Sequence, residues 1–145
     1  MHKVANIVAE SVSIPLIHIA DATGEKLVQD KITKVGLLGT KFTMEQDFYK
    51  GRLTKKFDIE VLTPESEEQA MIHEVIYQEL CLGEIKSASR EQYLAVIDKL
   101  AKRGAQAVIL GCTEIAMLVE QPHTSMPLYD TTAIHAQKAV QLALS

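Results

Sequence analysis

Five short apolar runs punctuate this chain, and between them lie segments with helical spacing or helix-capping residues. The runs are Ile14-Pro15-Leu16-Ile17-His18-Ile19, Lys34-Val35-Gly36-Leu37-Leu38-Gly39-Thr40, residues 58–62, Ala107-Val108-Ile109-Leu110-Gly111 and Pro127-Leu128-Tyr129-Asp130. A strand that reads as an unbroken apolar run is one buried on both faces, as a parallel strand is when helices cover it on either side. Strand alternating with helix therefore predicts an α/β fold, a mostly parallel sheet flanked by helices. In such folds ligands sit beyond the carboxyl ends of the strands. The residues to weigh for chemistry are then His18 to Asp21, Thr40 to Thr43, Thr63, Cys112 to Glu114, and Asp130 to Thr132.

The intervening segments supply the helices. Val4, Ile7, Val8 and Val12 predict an amphipathic helix over 2–11, and Asp21 is a candidate N-cap for a helix over 22–30. Thr43 with Gln46 reads as a capping box opening a helix to about Leu53, and Ser66 with Gln69 opens a long helix ending near Gly83. Residues 89–103 carry Tyr93, Leu94, Ile97, Leu100 and Ala101 on one face, with Gly104 closing the helix. Asp130 is placed to cap a final helix.

At 145 residues the chain is long enough for one well-buried core. Its net charge of −4, with lysines and carboxylates interspersed, argues against nucleic-acid or anionic-membrane partners. No apolar run approaches the ~20 residues that span a bilayer, and Met1-His2-Lys3 opens no signal-peptide pattern. Two cysteines make no disulfide framework, so the expected compartment is the reducing cytoplasm.

Cys112 is the sharpest chemical feature. It follows an apolar strand and precedes a short helix, where a helix dipole would lower a thiol pKa from about 8.5 toward neutrality. A thiolate there is a nucleophile or a proton-transfer base, while the alternative is a small buried residue. Gly39-Thr40-Lys41-Phe42-Thr43 offers backbone amides and two hydroxyls at a helix start, which suits a carboxylate or phosphate. The five histidines, at 2, 18, 73, 123 and 135, show no ligand spacing with either cysteine, so no metal site is expected. His73 and His135 read as ordinary helix residues, and Cys81 as a packing residue late in the helix 66–82.

Gly111-Cys112-Thr113-Glu114 after its apolar strand resembles the C-terminal cysteine motif of the aspartate/glutamate racemase family, in its aspartate racemase branch. Val35 to Thr40 with Thr43-Met44 and Phe48-Tyr49 is similar to the family's substrate-carboxylate loop and helix. Ile17 to Thr23 and Tyr129-Asp130-Thr131-Thr132 also resemble family segments, so the likeness runs along essentially the whole chain. Glu114 stands where glutamate racemases carry His, which favours the aspartate type. The resemblance implies two α/β lobes facing across a cleft, each giving one cysteine, with no pyridoxal phosphate, metal or other cofactor. Inverting a stereocentre needs a base on one face and an acid on the other, and two thiols can exchange those roles. It further implies Cys112 as a catalytic acid/base, Thr40, Thr43 and Thr113 on the substrate carboxylate, and Glu114 orienting the site or the ammonium group. The substrate implied is a small acidic amino acid, aspartate or glutamate.

The family's other cysteine lies in a Cys-x-Asn-Thr type motif, which this sequence lacks, and the family continues from that motif into residues resembling Met1 to Ala5. The resemblance thus predicts a remnant of the first lobe at 1–33, an intact second lobe at 34–125, and a strand and helix at 126–145 returning to the first lobe. Impaired racemisation follows, together with self-association into a homo-oligomer through uncovered apolar surface. The rival readings are a catalytically inactive binding or oligomerisation fragment, and a related isomerase such as maleate isomerase or hydantoin racemase.

Overall fold

The computed structural model describes residues 4–145. Four parallel strands form one sheet: β1 (Lys34–Leu38), β2 (Glu60–Leu62), β3 (Ala107–Leu110) and β4 (Leu128–Asp130), in spatial order β2-β1-β3-β4. In register, Gly36 faces Leu62 on one side and Val108 on the other, and Leu110 faces both Leu38 and Asp130. The strand period of two then sorts the apolar residues onto two faces. Leu38, Val108 and Leu110 pack with α5 (Ser66–Gln78), α6 (Ser87–Lys102) and α7 (Ile115–Leu118) through Ile72, Ile76, Tyr93, Ile97 and Ile115. Val35, Leu37, Ala107 and Ile109 pack with α2 (Ile19–Gln29) and α4 (Asp47–Phe57) through Ala20, Leu27, Tyr49 and Leu53. The remaining helices are α1 (Ala5–Ser11), α3 (Lys41–Glu45) and α8 (Thr131–Leu144). The expected parallel α/β sheet, with strands at 34–40, 58–62, 107–111 and 127–130, is what the chain forms.

The fifth expected strand does not form. Residues 14–18 pair with no strand, and Ile14 is 72% exposed. Pro15 lacks the N–H a central strand needs, and the helix that follows begins at Ile19 rather than at 22. His18, not Asp21, is its N-cap: His18 Nδ1 accepts the Ala20 N–H at 3.1 Å. Leu16 and Ile17 instead join Val4 and Val8 of the α1 segment, and His135 of α8, around an apolar cavity of about 260 Å³. The helix expected over 2–11 is α1 for its described part; residues 2 and 3 lie outside the described residues.

Other boundaries move for identifiable reasons. The segment 41–57 holds two helices, broken at Gln46, whose backbone is extended at ψ 152°. Thr40 caps the first of them by accepting the Thr43 amide, so Thr43 is a helical residue and not the cap. Glu65 caps α5, in a reciprocal capping box with Glu68, one residue before the expected Ser66. That helix ends at Gln78, and Leu80–Leu82 form a separate 3-10 turn closed by Gly83. Cys81 therefore sits exposed on a turn rather than packed in a helix. Asp130 caps α8 as expected, accepting the Thr132 and Ala133 amides. Arg52 and Lys56 of α4 both bond the Asp21 carboxylate, tying α4 to α2. Among the described residues, no helix is long and apolar enough to cross a membrane.

Candidate active site

Because β1 and β3 are neighbours and in register, the loops that leave them emerge side by side. The contact between them is close: the Gly111 N–H donates to the Leu38 carbonyl at 2.7 Å. A β-carbon at Gly111 would lie 2.8 Å from that carbonyl oxygen and 3.5 Å from Thr43 Cγ2. Position 111 is consequently restricted to glycine by approach, and the Cys112 loop lies against the threonine loop of β1.

On the β1 side the Thr40 and Thr43 hydroxyls are 3.2 Å apart, both half-buried, at the start of α3. The backbone behind them is held by His73 of α5, whose Nδ1 accepts the Lys41 N–H at 3.1 Å. On the β3 side, Cys112 Sγ donates to Glu114 Oε2 at 2.8 Å, and both residues are half-buried. Exposed Thr113 reaches Thr132, with the hydroxyls 3.5 Å apart, and Thr131 anchors the β4 end by donating to the Leu110 carbonyl at 3.0 Å. Thr40, Thr43, Cys112, Thr113, Glu114 and Thr132 thus occupy one edge of the sheet, at the carboxyl ends of β1, β3 and β4.

The electrostatics of Cys112 differ from the expectation of a lowered pKa. Burial and the hydrogen bond to the Glu114 carboxylate push the thiol up to about 12. The physical reason lies in the turn. The helix α7 begins only at Ile115 and runs four residues, with Glu114 as its N-cap, so Cys112 stands outside its first turn. A dipole that short and that far away cannot outweigh an adjacent carboxylate. Tyr93 of α6 is also held above its ordinary value, by burial first and then by the charges of Cys112 and Glu79, and its hydroxyl donates to the Ile72 carbonyl at 2.9 Å.

Cys81 is exposed on the turn Leu80–Leu82, near enough to act electrostatically on Cys112. His18 is buried at the start of α2 and His135 Nε2 lies 2.8 Å from the Ile17 carbonyl, both beside the apolar cavity and not with Cys112. Among the described residues, no group of three His, Cys, Asp or Glu side chains could hold a metal ion. Sequence reasoning passed over one contributor: His73 read as an ordinary helix residue because its partner is a backbone amide some thirty positions away. Thr132 was legible as a strand-end residue within a family-like segment, but with no role given to it.

This edge of hydroxyls, thiol and carboxylate has counterparts in known proteins. A profile of the Asp/Glu/Hydantoin racemase family matches residues 1–139, and the chain belongs to that family. It is similar over its whole length to the crystal structure of a Yersinia pestis protein described as a provisional Asp/Glu racemase, at 51% identity and a TM-score of 0.96. An aspartate racemase homologue from Pyrococcus horikoshii OT3 aligns with 99% of the chain at 34% identity and a TM-score of 0.91. The chain spans 63% of the length of each of these two structures. The aspartate racemase of Picrophilus torridus, at 23% identity and a TM-score of 0.64 over 83% of this chain and 49% of its own, shares the fold. An uncharacterised Pectobacterium carotovorum protein, encoded in the 3′ region of pnlA, is 31% identical over 128 residues, which are 87% of this chain and 83% of that protein.

Proposed function

We propose that this chain carries one half of a cofactor-independent amino-acid racemase, in which Cys112 transfers a proton at the Cα of an acidic amino acid, aspartate foremost. One observation carries the reading: a thiol bonded to a carboxylate lies against a paired-hydroxyl loop, at the adjoining ends of two paired parallel strands. Thr40, Thr43 and Thr113 bind the substrate carboxylate and stabilise the charge that develops there as the Cα proton leaves. Glu114, the carboxylate at this edge bonded to Cys112, receives the substrate ammonium group.

A single thiol serves one face of Cα, and the other face needs its own acid or base. The lobe at 34–125 supplies the site. The segments 1–33 and 126–145, whose helices α2 and α8 pack on each other, form the base on which a second lobe would rest. Apolar side chains exposed along α1, residues 12–16 and the end of α8 support association of the chain with itself. The reading as a catalytically inactive fragment makes the same use of that surface but assigns no chemistry to Cys112.

Incubating D- and L-aspartate separately in D2O tests the proposal. The chain exchanges the Cα hydrogen of one enantiomer with retention, Cys112→Ser abolishes the exchange, and net inversion stays far below the roughly 1–10³ s⁻¹ typical of enzymes. Exchange that survives Cys112→Ser sinks the assignment of the thiol. Inversion at full enzymatic rates would show that another residue serves the second face.

A further inference from the structure

We infer that His73 of α5 is a positioning residue for the threonine loop of β1: its imidazole holds the start of α3, and so aims the Thr40 and Thr43 hydroxyls at the substrate carboxylate. The inference rests on the reading of those two threonines as carboxylate donors, and deepens it by naming the group that sets their direction. Its geometry is a hydrogen bond between two elements. The Lys41 N–H of α3 donates to His73 Nδ1 at 3.1 Å, across 32 positions of sequence. The ring is itself set by Tyr77, one turn further along α5, with ring centroids 4.7 Å apart and planes tilted by 51°.

The loop needs such a hold. α3 is five residues long, and a helix that short does not persist on its own hydrogen bonds. Its backbone turns extended at Gln46, so α4 does not continue it. One anchor is Met44, fully buried with Ile72, Val75 and Ile76 of α5. Held there alone, the first turn of α3 could swing about Met44. The bond to His73 adds a second fixed point at Lys41, directly after Thr40 and two residues before Thr43. Between these points the two hydroxyls stay 3.2 Å apart, with Thr40 Oγ1 accepting the Thr43 N–H.

Stability alone does not account for the bond. Lys41 is exposed, so water would satisfy its N–H as readily as an imidazole does, and the net gain in folding is small. Water would not fix a direction. A ring anchored in a helix offers its lone pair at one place, and small misplacements of substrate-holding groups are costly to a reaction. The same bond settles the tautomer: Nδ1 accepts, so the hydrogen of the neutral ring is on Nε2.

The test uses the full chain, isotope-labelled for NMR and titrated with L-aspartate and D-aspartate separately. Aspartate is expected to shift the Thr40 and Thr43 amide resonances of the parent. His73→Leu, which keeps bulk and loses the acceptor, weakens binding about tenfold, the size of one ordinary hydrogen bond. His73→Asn, whose side-chain oxygen can stand in for Nδ1, restores most of the affinity. In Cα exchange in D2O the loss in His73→Leu falls on KM and leaves kcat nearly unchanged, because the thiol is untouched. At about pH 8, above the ordinary imidazole range, the ring nitrogen shifts of the parent show Nδ1 bare and Nε2 protonated. Five results would each overturn the inference. They are parent Thr40 and Thr43 amides that ignore aspartate, a parent His73 protonated at Nδ1, and a His73→Leu chain that binds as the parent does. The others are a His73→Asn chain that binds as poorly as His73→Leu, and an exchange defect confined to kcat. The first two are read on the parent and stand even where His73→Leu fails to fold. Aspartate binding that depends on His73 in a chain without Cα exchange would defeat the racemase reading alone; exchange whose KM ignores His73 would defeat this inference alone.

Discussion

At the residue scale, Asp21 shows how an ordinary surface charge becomes a fixed part of the fold. Burial alone would raise its pKa, but hydrogen bonds from Arg52 and Lys56 outweigh that and hold the carboxyl at about 2. A carboxylate whose folded pKa lies below its unfolded one stabilises the native state above the unfolded value, and loses that effect as pH falls through the folded value. With Lys56 half-exposed, the contribution at neutral pH is no more than about 2 kcal/mol. Urea unfolding of the parent and Asp21→Asn should differ by about that amount at pH 7, and the gap should shrink steadily below about pH 5. A gap independent of pH would place the effect in packing and not in charge. The same scale shows where sequence reading fell short at Cys112. Its position after a strand and before a helix was legible, but its acidity depends first on how far it is buried and then on which way the Glu114 side chain turns, and no spacing rule encodes either.

At the element scale, the sheet is where sequence and structure agree best. Val35 to Leu38 and Ala107 to Leu110 are almost fully buried on both faces, so nothing interrupts their apolar runs and they read plainly as parallel strands. The run at 14–19 is also apolar, but it carries Pro15, has no sheet neighbour and leaves Ile14, Pro15 and Leu16 exposed; an apolar run alone does not say that its side chains are buried within the same chain. Caps slipped by one to three residues because Thr40 and Thr43, or Glu65 and Ser66, are all competent cap residues, and only the backbone angles choose between them. Element packing also yields a sharp prediction at Gly36. A β-carbon there would lie 2.8 Å from Leu100 Cδ1 and 3.2 Å from Val108 Cγ2, so α6 rests directly on the bare backbone of β1. Gly36→Ala should cost about 1–3 kcal/mol by pushing the helix off the sheet, and Gly36→Val more. Thermal denaturation that places Gly36→Ala level with the parent would show that α6 shifts without cost.

At the scale of the whole molecule, polar side chains gather at the strand ends of the sheet while apolar ones lie exposed along α1 and the end of α8. Ile7, Val12 and Ile14 are exposed on α1 and the segment after it, whose Val4, Val8 and Leu16 line the apolar cavity, and Val140, Leu142 and Leu144 are exposed along the last turns of α8. Single exposed apolar residues mean little, but a cluster of this kind beside a groove favours association. Light scattering should give a mass that rises with concentration, and Ile7→Glu with Ile14→Glu should return the chain to a monomer. A parent chain that stays monomeric across the accessible range would remove this face as a contact. The sheet has a different consequence, which is one of time. Its central pair joins Leu38 to Leu110, some seventy residues apart, while the outer pairings, such as Gly36 with Leu62 and Ile109 with Tyr129, close much shorter stretches of chain. The longer closure comes late and slowly in folding, because the intervening chain must be ordered before the strands can meet. Thr43 and Cys112 stand on opposite sides of that seam. A partly folded chain can hold either of them in its local turn, yet the two become neighbours only once β1 and β3 have paired.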